Sequence, residues 1–94
     1  MAASDDTVVR IRPTDVSWRE VDGEIIALDL KSSTYFSTNR TGALLWHAMV
    51  DGAAVADLVA LLEKSFAVPQ ETARADVDAF MKLLATNGLL AGGG

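Results

Sequence analysis

Between Gly23 and Trp46 the chain reads GEIIALDLKSSTYFSTNRTGALLW, and this stretch limits what the rest can fold into. Glu24 to Leu30 is rich in aliphatic and β-branched residues, Lys31 to Ser33 is turn chemistry, and Thr34 to Ser37 carries two aromatics. Asn39 then stands where a helix needs an N-cap. The order implied is strand, turn, shorter strand, capped helix. If Thr34–Ser37 is the last strand of a small sheet, its outer N–H and C=O groups lack partners, and such an edge accepts a strand from another chain.

Upstream, Val16 to Val21 reads as a strand closed by Asp22-Gly23, the dipeptide of a two-residue hairpin. That turn sets Val21 opposite Glu24, Arg19 opposite Ile26, Trp18 opposite Ala27 and Ser17 opposite Leu28. One sheet face then carries Val21, Ile26, Leu28 and Leu30, the other Val16, Trp18, Ile25 and Ala27. Both are partly apolar, so either something covers the second face or Trp18 shields a thin sheet. Tyr35 and Phe36, being neighbours, must point to opposite faces, one of them into the core.

Three helices follow. The first runs from Asn39 to the Asp51-Gly52 stop, apolar on two sides, with Arg40, His47 and Asp51 on a solvated strip. The second, Val55 to Phe66, is amphipathic, though Ala54 is a poor N-cap. After Ala67-Val68-Pro69, a third spans Gln70 to Thr86 with a stripe of Ala73, Val77, Phe80, Met81 and Leu84. Three strands before three helices make an α+β fold: a three-stranded antiparallel sheet followed by a three-helix bundle, winged helix-turn-helix-like in outline. Residues 1–14 read as a flexible N-terminal tail, with pairing of Val8 to Ile11 as an extra strand the alternative. Residues 15–91 form the domain, and 92–94 a disordered C-terminal tail.

Composition excludes more than it selects. A chain of 94 residues has no room for a second domain. Its net charge is −5 and its eight Lys and Arg are scattered, which disfavours a phosphate backbone as partner. There is no cysteine for a disulfide or thiolate, and no apolar run long enough for a signal peptide or membrane span, so the expectation is a soluble protein of the reducing cytoplasm. Catalysis finds no constellation: His47 is the one histidine and lies on the solvated strip, Asp5-Asp6 falls in the tail, and Asp76 and Asp78 diverge on their helix. No enzyme, metal site or cofactor is expected. A DNA-reading winged helix is the alternative, but the third helix exposes Glu71, Arg74, Asp76, Asp78 and Lys82, three acids to two bases, which repels the duplex.

The ordered set of the Asp22-Gly23 hairpin, Leu30 before a turn, Tyr35 before Asn39-x-Thr41-Gly42, Trp46, the Asp51-Gly52 stop, Asp76-Val77, Phe80, Leu84 and Gly88-Leu89-Leu90 resembles the PqqD-like family. These are the RiPP recognition elements, which bind leader peptides of ribosomally made, modified peptides. The likeness covers Val16 to Leu90. It implies a non-catalytic protein on which a leader adds as a strand along Thr34–Ser37, in the groove beside the third helix. Carried onto this sequence, the peptide-binding residues are Ser33, Thr34, Tyr35, Phe36, Ala73, Asp76, Val77 and Phe80, with Asp76 or Asp78 available to a basic leader side chain. The implied partners are the precursor's leader and a leader protease or other modifying enzyme. They suit the stand-alone recognition protein of a lasso-peptide pathway or, alternatively, a PqqD-type chaperone for a radical SAM enzyme. The chain is expected as a monomer or an edge-paired dimer, and a proline at Thr34 is the probe of the edge N–H. Which flank of the third helix faces the groove is open: Thr72, Asp76, Ala79 and Leu83, or Arg74, Asp78 and Lys82.

Overall fold

The structure, a computed structural model, describes residues 6–91. Its elements are β1 (Val8–Val9), β2 (Val16–Val21), β3 (Glu24–Asp29), β4 (Thr34–Ser37), α1 (Arg40–Val50), β5 (Ala53–Ala54), α2 (Val55–Phe66) and α3 (Gln70–Thr86). Asp22 and Gly23 take φ of 53° and 80°, the positive pair that a type I′ turn requires. The turn pins the register of β2 on β3 as the sequence implies, Val21 opposite Glu24 through Val16 opposite Asp29. β4 pairs on the other side of β3, Ile26 opposite Ser37 through Asp29 opposite Thr34, so the antiparallel sheet runs β2-β3-β4.

One face of this sheet meets the helices. Ile25, Ala27 and Phe36 are buried there against α1, and Trp46 at the centre of α1 is fully buried. An aromatic row crosses the core: Trp18 meets Trp46 edge-on at 5.8 Å, Trp46 stacks on Phe36 at 6.0 Å, and Phe36 lies 6.4 Å from Phe80 of α3. Of the two neighbouring aromatics, Phe36 is thus the core residue and Tyr35, 74% exposed, the outward one. The outer face keeps Val21, Ile26, Leu30 and Tyr35 open to solvent. Its apolar character reflects no covering element among the described residues.

Only α1 begins on a side-chain cap. The Asn39 side chain accepts the Gly42 amide at 2.9 Å. Gly42 must lack a side chain, because a Cβ there would stand 2.8 Å from Thr38 Cβ and 3.0 Å from Phe80 Cε1. Ala54 offers α2 no side-chain cap. The Val55 amide instead donates to the Thr7 carbonyl at 3.0 Å, so the chain's own N-terminal segment satisfies one of the orphan donors. At its far end α2 stops on Ala67 in the left-handed region, φ 52° and ψ 41°. Glycine avoids the Cβ strain of that conformation, so Ala67→Gly is expected to raise stability by about 0.5–1 kcal/mol, read as a rise in thermal midpoint.

The N-terminal segment departs from the flexible tail expected over 1–14. Val8 and Val9 pair antiparallel with Ala54 and Ala53, and Ile11 is buried and bridges to Leu90. Its amide donates to Met49 O at 2.9 Å, that of Arg12 to Leu89 O at 2.7 Å, and that of Ala91 to Arg10 O at 2.8 Å. The physical reason is that Pro13 ends the run only after Ile11 has been buried, and the C-terminal Leu89–Leu90 return supplies the partner backbone. Residues 1–5 of that expected tail, and the expected tail at 92–94, lie outside the described residues.

Arg12 fastens this segment down. Its guanidinium donates to the Gly88, Asp15 and Thr14 carbonyls at 2.7, 3.1 and 3.0 Å and to Asp29 Oδ1 at 2.7 Å. The hydrogen bond from Arg12, helped by the Lys31 amide, holds the Asp29 carboxyl well below its ordinary 3.8, at about 2. A depressed carboxyl stabilises the fold fully above its unfolded value and ceases to do so as pH falls through its folded one. Thermal midpoints are therefore expected to lose this contribution between about pH 4 and pH 2. The gap between the parent and Asp29→Asn should close over the same interval, since asparagine has no proton to gain.

Candidate functional site

The edge of β4 away from β3 is unpaired, and the register says which amides it presents. The Thr38 amide donates to Ile25 O at 3.0 Å, which makes Thr38 and Ile25 a hydrogen-bonded pair. Antiparallel ladders alternate, so the backbone groups of Phe36 and Thr34 also face β3, while those of Tyr35 and Ser37 face outward. The expectation that Thr34 supplies an edge N–H is corrected by one residue: its N–H belongs to the β3 ladder, and a proline there breaks the sheet.

Beside this edge lies a cleft of about 400 Å3 between the end of β4, the start of α1 and one flank of α3. Ser37, Thr38, Asn39, Thr41 and Gly42 line one side of it, and Leu45, Phe80 and Leu83 bring apolar surface. Asp76 and Ala79 complete the helical side. The flank of α3 left open by the sequence is thereby assigned to Asp76, Ala79 and Leu83, with Thr72 outside the lining. Leu83, 47% exposed, was visible only as one of two alternatives.

The residues carried over from the resemblance fare unevenly. Asp76 and Phe80 line the cleft. Phe36 is buried outside the lining, its ring 6.4 Å from that of Phe80. Ser33, at φ 60°, and Thr34 sit exposed in and after the turn, with Thr34 Oγ1 2.6 Å from Ser32 Oγ, and Tyr35 points to the outer sheet face. Ala73 and Val77 are both 0% exposed, so they are core residues with no surface to offer a peptide. They belong to the core, where α3 packs chiefly on α2, because the apolar stripe of an amphipathic helix is the part that burial claims, which leaves its flank exposed. Ser37, Thr38, Thr41, Gly42 and Leu45 line the cleft and are not among the residues carried over from the resemblance. For Thr41 and Gly42 the Asn39-x-Thr41-Gly42 motif was the signal, read as a helix cap and as part of the family resemblance but not as cleft lining.

Among the residues lining the cleft, Asp76 alone is ionisable. His47 is exposed on α1, its Nε2 2.5 Å from Glu20 Oε1 and its ring edge-on to Trp18. No group of three metal-ligating side chains exists among the described residues. No helix among them is long and apolar enough to cross a membrane.

Residues 24–90 match the family described as coenzyme PQQ synthesis protein D (PqqD). Among solved structures, TbiB1 in complex with the TbiA(beta) leader peptide is similar at a TM-score of 0.81 and 26% identity, covering 88% of this chain and 95% of that one. Lasso peptide synthetase B1 complexed with the leader peptide is similar at a TM-score of 0.76 and 30% identity, covering 87% and 95%. No curated protein matches the chain.

Proposed function

The chain belongs to the PqqD family, and from that premise we propose that it is a non-catalytic recognition protein for the leader peptide of a ribosomally synthesised precursor. The leader adds as a strand to the free edge of β4, pairing with the outward groups of Tyr35 and Ser37. Backbone pairing sets its register, and the cleft reads its side chains. An incoming strand lies about 4.8 Å from β4, which carries it over the cleft and toward the Asp76–Leu83 flank of α3. The protein then delivers the bound precursor to its tailoring enzymes, the leader protease and cyclase of a lasso-peptide pathway.

The observation that carries this reading is the juxtaposition of an unpaired strand edge with a partly apolar cleft, in a fold similar at 26% and 30% identity to two leader-peptide complexes. The test is fluorescence anisotropy of a labelled leader from the precursor encoded beside this gene, titrated with the full chain. A duplex DNA of similar size serves as control. Saturation at micromolar concentration or tighter, about 8 kcal/mol or more of binding free energy, with no DNA signal is the expected result. A leader that stays free while DNA binds with steep salt dependence overturns it.

A further inference from the structure

The cleft contains one ionisable side chain, Asp76, among small polar and apolar lining residues. Its position on α3 is not one that helix energetics favours. It is the seventh residue of a 17-residue helix, past the first turn where the dipole favours a carboxylate. The positions three and four away hold Thr72, Ala73, Ala79 and Phe80, none of them cationic. Among the described residues no ion pair involves it. Asp78 is in no such ion pair either, but it differs in its helical neighbours: Arg74 and Lys82 stand four residues to either side of it, the spacing at which opposite charges on a helix support each other. Of these two aspartates, Asp78 has cationic residues at helical spacing, while Asp76 has none and lines the cleft.

We propose that Asp76 selects a cationic side chain, Lys or Arg, in the strand docked on β4, two residues from an apolar side chain that packs on Phe80 and Leu83. This deepens the peptide-binding reading above and rests on it. The spacing follows from geometry. Asp76 and Phe80 are about one helical turn apart, roughly 5.4–6 Å. Side chains on one face of a strand recur every second residue, roughly 6.7 Å, so consecutive inward positions meet consecutive turns. The residue between them points to the outer sheet face beside Tyr35. The net charge of −5 attracts the same class of peptide at longer range.

The test is selection of an mRNA-displayed library of randomised ten-residue peptides on the full chain, its Asp76→Asn and Asp76→Lys variants, and Asp78→Asn as control. Both sites are on the surface or near it, so folding is not at stake. The parent and Asp78→Asn are expected to enrich Lys or Arg two positions from an apolar residue. Asp76→Asn should keep the apolar position and lose the cation preference, and Asp76→Lys should turn that preference to Asp or Glu. A peptide selected on the parent should bind Asp76→Asn roughly three- to tenfold more weakly, with the gap closing at high salt. Enrichment of one and the same motif by the parent and both Asp76 variants overturns the assignment of Asp76 while leaving peptide binding in place. Enrichment of no peptide by any of them overturns peptide binding itself, and this inference with it.

Discussion

Replacing Tyr35 with proline is expected to weaken leader binding at least tenfold while leaving the thermal midpoint within a few degrees of the parent's. The Tyr35 amide faces away from β3, so proline removes no ladder hydrogen bond, and edge strands tolerate it for that reason. It does remove the N–H that the incoming strand needs, and its ring occupies the space of the facing carbonyl. Together these cost about 1.4 kcal/mol or more, a factor of ten. Two controls separate backbone from side chain. Tyr35→Ala keeps the amide and is expected to lose less than about threefold, the worth of one cross-strand side-chain contact. Thr34→Pro places the same lesion one residue earlier, where the amide faces Asp29, and should lower the midpoint sharply. Unchanged affinity in Tyr35→Pro would rule out strand addition at this edge.

The largest effect on stability is expected at Trp46. It is fully buried in the middle of the aromatic row, between Trp18 and Phe36, and joins the sheet to α1. Trp46→Ala removes that contact on both sides and is expected to cost about 3–5 kcal/mol, a large share of the roughly 5–15 kcal/mol available to a domain. Thermal unfolding followed by circular dichroism measures it. Trp46→Phe should recover more than half of the loss. The indole Nε1 has no hydrogen-bond partner among the described residues, so phenylalanine forfeits volume but no polar contact. A Trp46→Ala midpoint close to the parent's would mean that the sheet and the helices are held together by something other than this row.

The same row bears on the site, because Phe80 ends it and lines the cleft. Gly42 is packed against that ring and against Thr38, which fixes how closely α1 approaches α3. Under the proposed function, a leader would dock on a surface set by core packing, and pre-organisation of this kind spares binding the cost of ordering the receptor.

Much of the fold was legible because its signals are local. The Asp22-Gly23 turn sets the β2–β3 register through two backbone conformations, Asn39 caps α1 with its own side chain, and α2 and α3 begin and end at Val55, Phe66, Gln70 and Thr86 as their periodicity implies. Phe36 as core and Tyr35 as surface could be narrowed to an alternation, not decided. The candidate site was legible only in outline. Periodicity marked Ala73 and Val77 as prominent on α3, but a stripe pattern names what is buried and says nothing of which bordering flank stays open.

What the sequence determined by itself is the succession of elements and the hairpin register, since turn conformation, capping and apolar period act within a few residues. Tertiary structure alone decided that Val8–Val9 pairs with Ala53–Ala54 and that Thr7 completes the start of α2. It also decided that the outward amide of β4 belongs to Tyr35 and not Thr34, and that α3 turns Asp76 and Leu83 toward the cleft. Each of these depends on which surfaces cover one another across tens of residues of chain. That is settled by the burial and backbone pairing of the whole domain, quantities that no short stretch of the sequence contains.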